Sequence, residues 1–288
     1  MKRWLLSLSC FLLSGAVLAA GVYAVRQRVQ ASMLVSGSVT VAPDGSLKSY
    51  VIDRSEQLPA PVVALIAQNA SGWRFKPVIR NGVAVSAEAP MSLRIVAKPA
   101  GDDKYTLGIA GSHFGWPASN GDSTGRSISA RQQKSPAYPM DAARARVSGT
   151  VYVVMRVNRA GMVDEDAAEQ VNLDVVASDA EMRHWRAVLA DAAVNATRHW
   201  TFAPPTSGAE ADRSSWLVRV PITFRLTDWG SPLPVEKYGN WHAYVPGPRN
   251  TPAWMHERSL NNSVDALADG GVAEVGKGLQ LITPLNGA

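Results

Sequence analysis

Trp200-Thr201-Phe202-Ala203-Pro204 repeats the pattern of Trp73-Arg74-Phe75-Lys76-Pro77. Each Trp-x-Phe-x-Pro follows a helical stretch and precedes a polar loop that contains Gly. Each loop then gives way to an alternating apolar run, Pro90–Val96 in the first copy and Trp216–Leu226 in the second. Alternation with period two predicts a strand with one buried face. Two such coincidences in one chain point to an internal repeat, and the reading of everything else follows from it.

Working upstream, each copy opens on a β-branched run, Ser36–Val41 and Ser148–Val153. Each run meets a turn with Gly, Pro43-Asp44-Gly45 in one case and Asn158-Arg159-Ala160-Gly161 in the other. Gly and Asn tolerate positive φ, so both are hairpin signals. A second strand follows, Ser46–Asp53 and Met162–Val176. The helix of the second copy starts at Ser178-Asp179-Ala180-Glu181, a capping box. Met182, Trp185, Leu189, Ala192, Ala193 and Ala196 then fall on one helical face. In the first copy Pro59 and Pro61 suit a first turn, Val62, Leu65, Ile66 and Asn69 follow, and Gly72 stops the helix. Trp73 and Trp200 stand at the same step and read as core anchors of helix on sheet. The expected fold class is α+β: two ββαβ units, each an antiparallel three-stranded sheet with a helix packed on one face.

Residues 134–228 resemble the C-terminal domain of TonB-type energy transducers. The resemblance is carried by Tyr138-Pro139, a short leading helix around Met140–Arg146, Gly149-Thr150-Val151, Gly161, the helix around Ala180–His199, Trp200-x-Phe202-x-Pro204 and the final strand Trp216–Leu226. Residues 34–98 read as a degenerate TonB-like copy without the Tyr-Pro and the leading helix. The resemblance implies a cell-envelope protein in outer-membrane transport that binds extended peptides by strand addition. A sheet edge offers unpaired backbone groups, and an extended peptide can pair there as a new strand. In this chain the implied edge strand carries Trp216, Leu217, Val218, Arg219, Val220, Ile222, Phe224 and Arg225, with Pro221 suited to an edge. Arg219 and Arg225 share one face, and Val218, Val220, Ile222, Phe224 and Leu226 share the other. The implied partners are outer-membrane receptor segments and an inner-membrane motor complex, in a Gram-negative periplasm. Family transducers also have a long Pro-rich rod and an anchor His, and neither occurs in residues 1–288. That keeps a second reading open, a non-energised periplasmic adaptor or scaffold with the same fold.

The remaining features constrain rather than identify. Of 288 residues, 46% are apolar and 18% charged, which excludes global disorder. The net charge of +5 is unclustered, which argues against a nucleic-acid arm. Met1-Lys2-Arg3 precedes 22 uncharged residues, Trp4–Val25, so residues 1–25 read as either a signal peptide or a membrane anchor. The one cysteine, Cys10, lies within that run, so no disulfide, Cys-ligated zinc or thiolate nucleophile is expected beyond it. His113, His184, His199, His242 and His256 show no metal-ligand spacing, and Asp164, Glu165 and Asp166 read as a solvated turn. No nucleophile elbow or phosphate loop occurs, so neither enzyme, metal nor cofactor is expected. Residues 99–133 read as a linker. Residues 229–288 form a Trp-, Pro- and Gly-rich tail with a short helix at Ser259–Leu267 and a strand at Gly278–Ile282. The strand-like Leu279–Ile282 raises the hypothesis that the tail covers the peptide-binding edge.

Overall fold

The computed structural model describes residues 28–101, 104–116, 125–208, 210–227, 237–255 and 266–285. Trp4–Val25, Cys10, Trp229, His256 and most of the expected helix Ser259–Leu267 lie outside the described residues.

The first sheet is built from β1 (Gln30–Val41), β2 (Leu47–Ile52), then helix α1 (Ala60–Ala70), a small hairpin β3 (Val78–Arg80) and β4 (Val83–Val85), and long strands β5 (Ala87–Pro99) and β6 (Tyr105–Phe114). The second follows β7 (Ser129–Gln132) and helix α2 (Met140–Arg144). It comprises β8 (Gly149–Asn158), β9 (Val163–Leu173), helix α3 (Asp179–Thr197), β10 (Thr201–Ala203) and β11 (Ser215–Phe224). Two late strands, β12 (His242–Tyr244) and β13 (Ala273–Glu274), complete the sheets. The orders are β12-β1-β5-β6, with β2 also on β1, and β13-β11-β8-β9. All pairings are antiparallel, and the class is α+β as expected.

Tight glycine turns join the first two strands of each sheet. Gly161 has φ 79°, and a Cβ built on it would lie 2.0 Å from the Phe202 carbonyl oxygen. Gly45 has φ 83°, and its Cβ would lie 2.1 Å from the Phe75 carbonyl oxygen. Each glycine carbonyl in turn accepts from that phenylalanine N–H at 2.8 Å. Only a residue without a side chain can hold the Trp-x-Phe-x-Pro strand this close to the hairpin turn. Both motifs are therefore locked in the same way.

Each helix covers one face of its sheet. Ser178 caps α3: its hydroxyl accepts from Glu181 N–H at 3.3 Å, and Glu181 accepts from Ser178 N–H at 3.0 Å. Met182, Leu189 and Ala193 then pack with Val151, Val153, Met155, Val218 and Val220 in one buried cluster with Trp200 and Phe202. In the first sheet Val62, Ile66 and Ala70 pack with Val35, Leu93 and Ile95, joined by Trp73 and Phe75.

Three expectations need correction. The sheets exceed three strands. Residues 99–133 are not a simple linker, since β6 pairs with β5 from Tyr105↔Pro99 to Phe114↔Met91, and β7 pairs with β10. The sequence Tyr-Thr-Leu-Gly-Ile-Ala-Gly-Ser-His-Phe has weak intrinsic strand preference; the ladder from β5 and burial of Phe114 in an edge-to-face cluster with Trp73 and Phe75 override it. Asp164, Glu165 and Asp166 lie on strand β9 rather than in a turn. Their charges are met locally: Arg156 pairs with Glu165 at 3.0 Å, and Asp166 accepts from Thr197 at 2.9 Å and Arg198 at 3.3 Å.

The sheet faces away from the helices pack toward one another. Val96 of β5, Tyr152 and Val154 of β8, and Arg219 of β11 are all buried, yet none belongs to a helix-side cluster. A polar cleft of about 430 Å³ runs between them, walled by Ser32 and Arg94 from one sheet and Tyr152 and Thr223 from the other. Residues 242–245 stitch the sheets at one end. His242–Tyr244 pair with β1, and Val245 exchanges backbone hydrogen bonds of 2.7 and 3.1 Å with Leu173 of β9.

Candidate peptide-binding edge

Strand β11 pairs with β8 along its whole length, from Ser215↔Asn158 to Phe224↔Gly149. Its other side is the outer edge that the sequence points to. Trp216, Val218, Val220, Ile222 and Phe224 turn inward to the α3 core and are buried. Leu217, Arg219, Pro221 and Thr223 alternate onto the inter-sheet face. Leu217 is half-buried and Arg225 lines the inter-sheet cleft. The motif residues frame the strand. The Tyr138 hydroxyl donates to the Val147 carbonyl at 2.6 Å, and its ring meets Phe224 edge-on at 5.6 Å. Pro139 starts α2, a Cβ on Gly149 would strike the Asn172 carbonyl at 2.3 Å, and Trp200 donates from Nε1 to the Lys134 carbonyl at 2.9 Å. Pro204 rests near Gly161 beside the buried Phe202.

Arg219 does not meet solvent. It is 2% exposed and forms a two-pronged ion pair with Glu169, which is fully buried; Nη2 donates to Oε1 at 2.8 Å and Nε to Oε2. Glu169 is the extra residue of a β-bulge, because Ala168 faces Val153 and Gln170 faces Tyr152. The bulge re-aims its carboxylate across β8 toward β11. Glu169 sits in a charged stretch, and only the register reveals that it turns inward.

His113 of β6 lies on the same side of this interface. Burial, aided by the Arg219 charge, holds its imidazole below the ordinary value of 6.5. Its Nε2 has no hydrogen-bond partner among the described residues. The folded state thus keeps His113 neutral where the unfolded chain takes up a proton. Stability should therefore drop as pH falls through about 6.5. Urea midpoints from pH 7.5 to 5.5 check this; His113→Gln should flatten that part of the curve.

The outer edge of β11 is occupied by the chain itself. Residues 269–275 run antiparallel along it, with Val218 opposite Glu274 and Arg219 opposite Ala273. Val275 N–H donates to the Leu217 carbonyl at 2.8 Å, Gly270 N–H to the Pro221 carbonyl at 3.1 Å, and Thr223 N–H to Asp269 Oδ1 at 3.2 Å. Pro221 faces Tyr152 of β8 but directs its carbonyl to Gly270. Its missing N–H therefore belongs to the outer side, so the β8 ladder is uninterrupted. The added strand is correspondingly short and turns away at Gly270 and Gly271.

Side chains anchor this segment. Val272 joins the α3 core, and Glu274 is buried. Burial raises the Glu274 carboxyl pKa, and Lys277 pulls it back. The Lys277 ammonium donates to the Arg126 carbonyl at 2.6 Å, Ser127 Oγ at 2.8 Å and Glu274 at 3.2 Å. The expected strand Gly278–Ile282 goes elsewhere: Leu281 bridges Phe75, and Leu279 N–H donates to the Phe114 carbonyl at 2.7 Å. The edge is thus covered by 269–275, a stretch whose Asp-Gly-Gly start reads as a turn. No His/Cys/Asp/Glu group that could hold a metal occurs among the described residues.

Residues 134–226 match the family described as Gram-negative bacterial TonB protein C-terminal. Residues 34–98 lie outside that match. No curated protein and no solved structure matches the chain. Proteins of that family are Gram-negative envelope proteins linked to outer-membrane transport, and their C-terminal domains interact with outer-membrane receptors.

Proposed function

Because residues 134–226 are a TonB C-terminal domain, we propose that the protein is a TonB-like envelope component that grips extended peptide segments of outer-membrane receptors by strand addition on β11. One observation carries this reading: the outer edge of β11 already pairs with an added extended segment, residues 269–275. The backbone of Leu217 and Arg219 supplies sequence-independent affinity, and the flanking core supplies selectivity. The periplasm is the compartment, with Trp4–Val25 as either anchor or cleaved leader. The first sheet serves as a second, degenerate TonB-like unit that supports the first.

A second reading has an observation of its own. An edge filled from within the chain favours a non-energised adaptor or scaffold, which keeps the fold without cycling a receptor. A photo-crosslinking residue at Leu217 separates the two in cells. Adducts to the periplasmic segment of an outer-membrane receptor are expected for receptor capture. Adducts confined to the chain's own residues, across receptors tested, would leave the adaptor. N-terminal sequencing of the native protein, with membrane and soluble fractions compared, decides between anchor and leader.

A further inference from the structure

We propose that residues 269–277 are a resident ligand of β11, and that an external peptide binds only by displacing them and by presenting the same chemistry, Val-x-Glu-x-x-Lys. This rests on strand addition at β11 as read above. The resident segment has the features of a bound peptide rather than of a loop. It makes ladder bonds to Leu217 and Pro221. It fills one apolar position with Val272 and one polar position with Glu274, two residues apart and hence on one side of an extended chain. Lys277 then closes the site by donating to the 126–127 backbone and side chain as well as to Glu274.

Pro221 limits what can replace it. Pro221 takes one donor from the edge, so an incoming strand gains contiguous two-way backbone pairing opposite Leu217 and Arg219 and only an accepting carbonyl at Pro221. With so short a ladder, affinity must come from the two anchoring side chains and the closing lysine. A peptide without them has little to offer against a segment tethered in place. Tethering makes the resident segment an intramolecular competitor at an effective concentration on the order of millimolar. A second docking point strengthens it. A few residues after Val275, Leu279 enters the first core and Leu281 bridges Phe75.

The test uses a labelled synthetic peptide with the sequence of residues 267–279 and the full chain. Fluorescence anisotropy should show negligible binding to the parent protein. Val272→Asp, which places a charge where the valine enters the core, should raise peptide affinity about 100-fold or more. Lys277→Ala removes only the rim contacts and leaves the core intact, so it serves if Val272→Asp does not fold; a gain of about 10-fold is expected. Peptides altered at the Val272 or Glu274 position should lose binding to both variants. Equal binding to parent and variants would overturn the competition and leave strand addition standing. Absence of binding to folded variants whose β11 amides have become exchangeable would overturn strand addition itself.

Discussion

Arg219→Met is expected to lower unfolding stability by about 3–5 kcal/mol, the usual consequence of leaving one member of a buried ion pair without its partner. Glu169 is fully buried and faces Arg219 with both oxygens. Arg249 approaches Glu169 Oε1 only at 4.0 Å and is too remote to replace a two-pronged guanidinium. Truncation therefore strands a carboxylate between two sheets. The loss is not a measure of what the pair contributes, because much of it is the desolvation of the survivor. The double variant Arg219→Met, Glu169→Leu makes the distinction: it should recover most of the loss, since the surrounding Tyr152 and Val154 offer an apolar setting. Urea unfolding of the two single variants and the double variant provides the cycle. If the single and double variants are equally unstable, the pair is specifying the packing of the sheets rather than merely tolerating burial.

Trp73→Ala and Trp200→Ala should each cost about 3–5 kcal/mol, as removal of a large core aromatic does. Both indoles are buried, at 1% and 5% exposure, and each sits where helix, turn and sheet meet. The phenylalanine variants should part company. Trp200 donates to the Lys134 carbonyl, and Phe at that position loses the bond, about 0.5–1.5 kcal/mol beyond the packing change. Trp73 Nε1 has no partner among the described residues, so Phe there removes a buried polar atom that gains nothing from the fold. Trp73→Phe should be the milder of the two by thermal or urea unfolding. The reverse order would show that the two motifs are not equivalent in their polar surroundings.

The architecture was legible wherever local chemistry and tertiary packing agree. The capping box at Ser178, the stop at Gly72, the turn at Gly161 and the alternation of Trp216–Leu226 each announce an element that forms. The shape of the site was less so. Strand β6 borrows its structure from β5, and a Gly- and Ser-bearing segment gives no periodic signal of that kind. Arg219 reads as an edge cation, since its partner lies fifty residues away and is turned inward by a bulge that no composition reveals. The covering segment reads as a turn because Asp269-Gly270-Gly271 is one; Val272, Glu274 and Lys277 acquire meaning only when β11 is beside them. Pro221 was suited to an edge on sequence grounds, and the register explains why it costs β8 nothing.

The way residues 269–282 are threaded also sets a timetable. Leu281 meets Phe75 across 206 positions of chain, and Val275 meets Leu217 across 58. Contacts so distant in sequence form slowly, because loop closure must precede any gain from them. Until they form, both the Trp-x-Phe-x-Pro strand of the first sheet and the outer side of β11 present bare backbone, the kind of surface on which chains associate. Refolding should accordingly show a late, concentration-sensitive phase that belongs to the arrival of this segment.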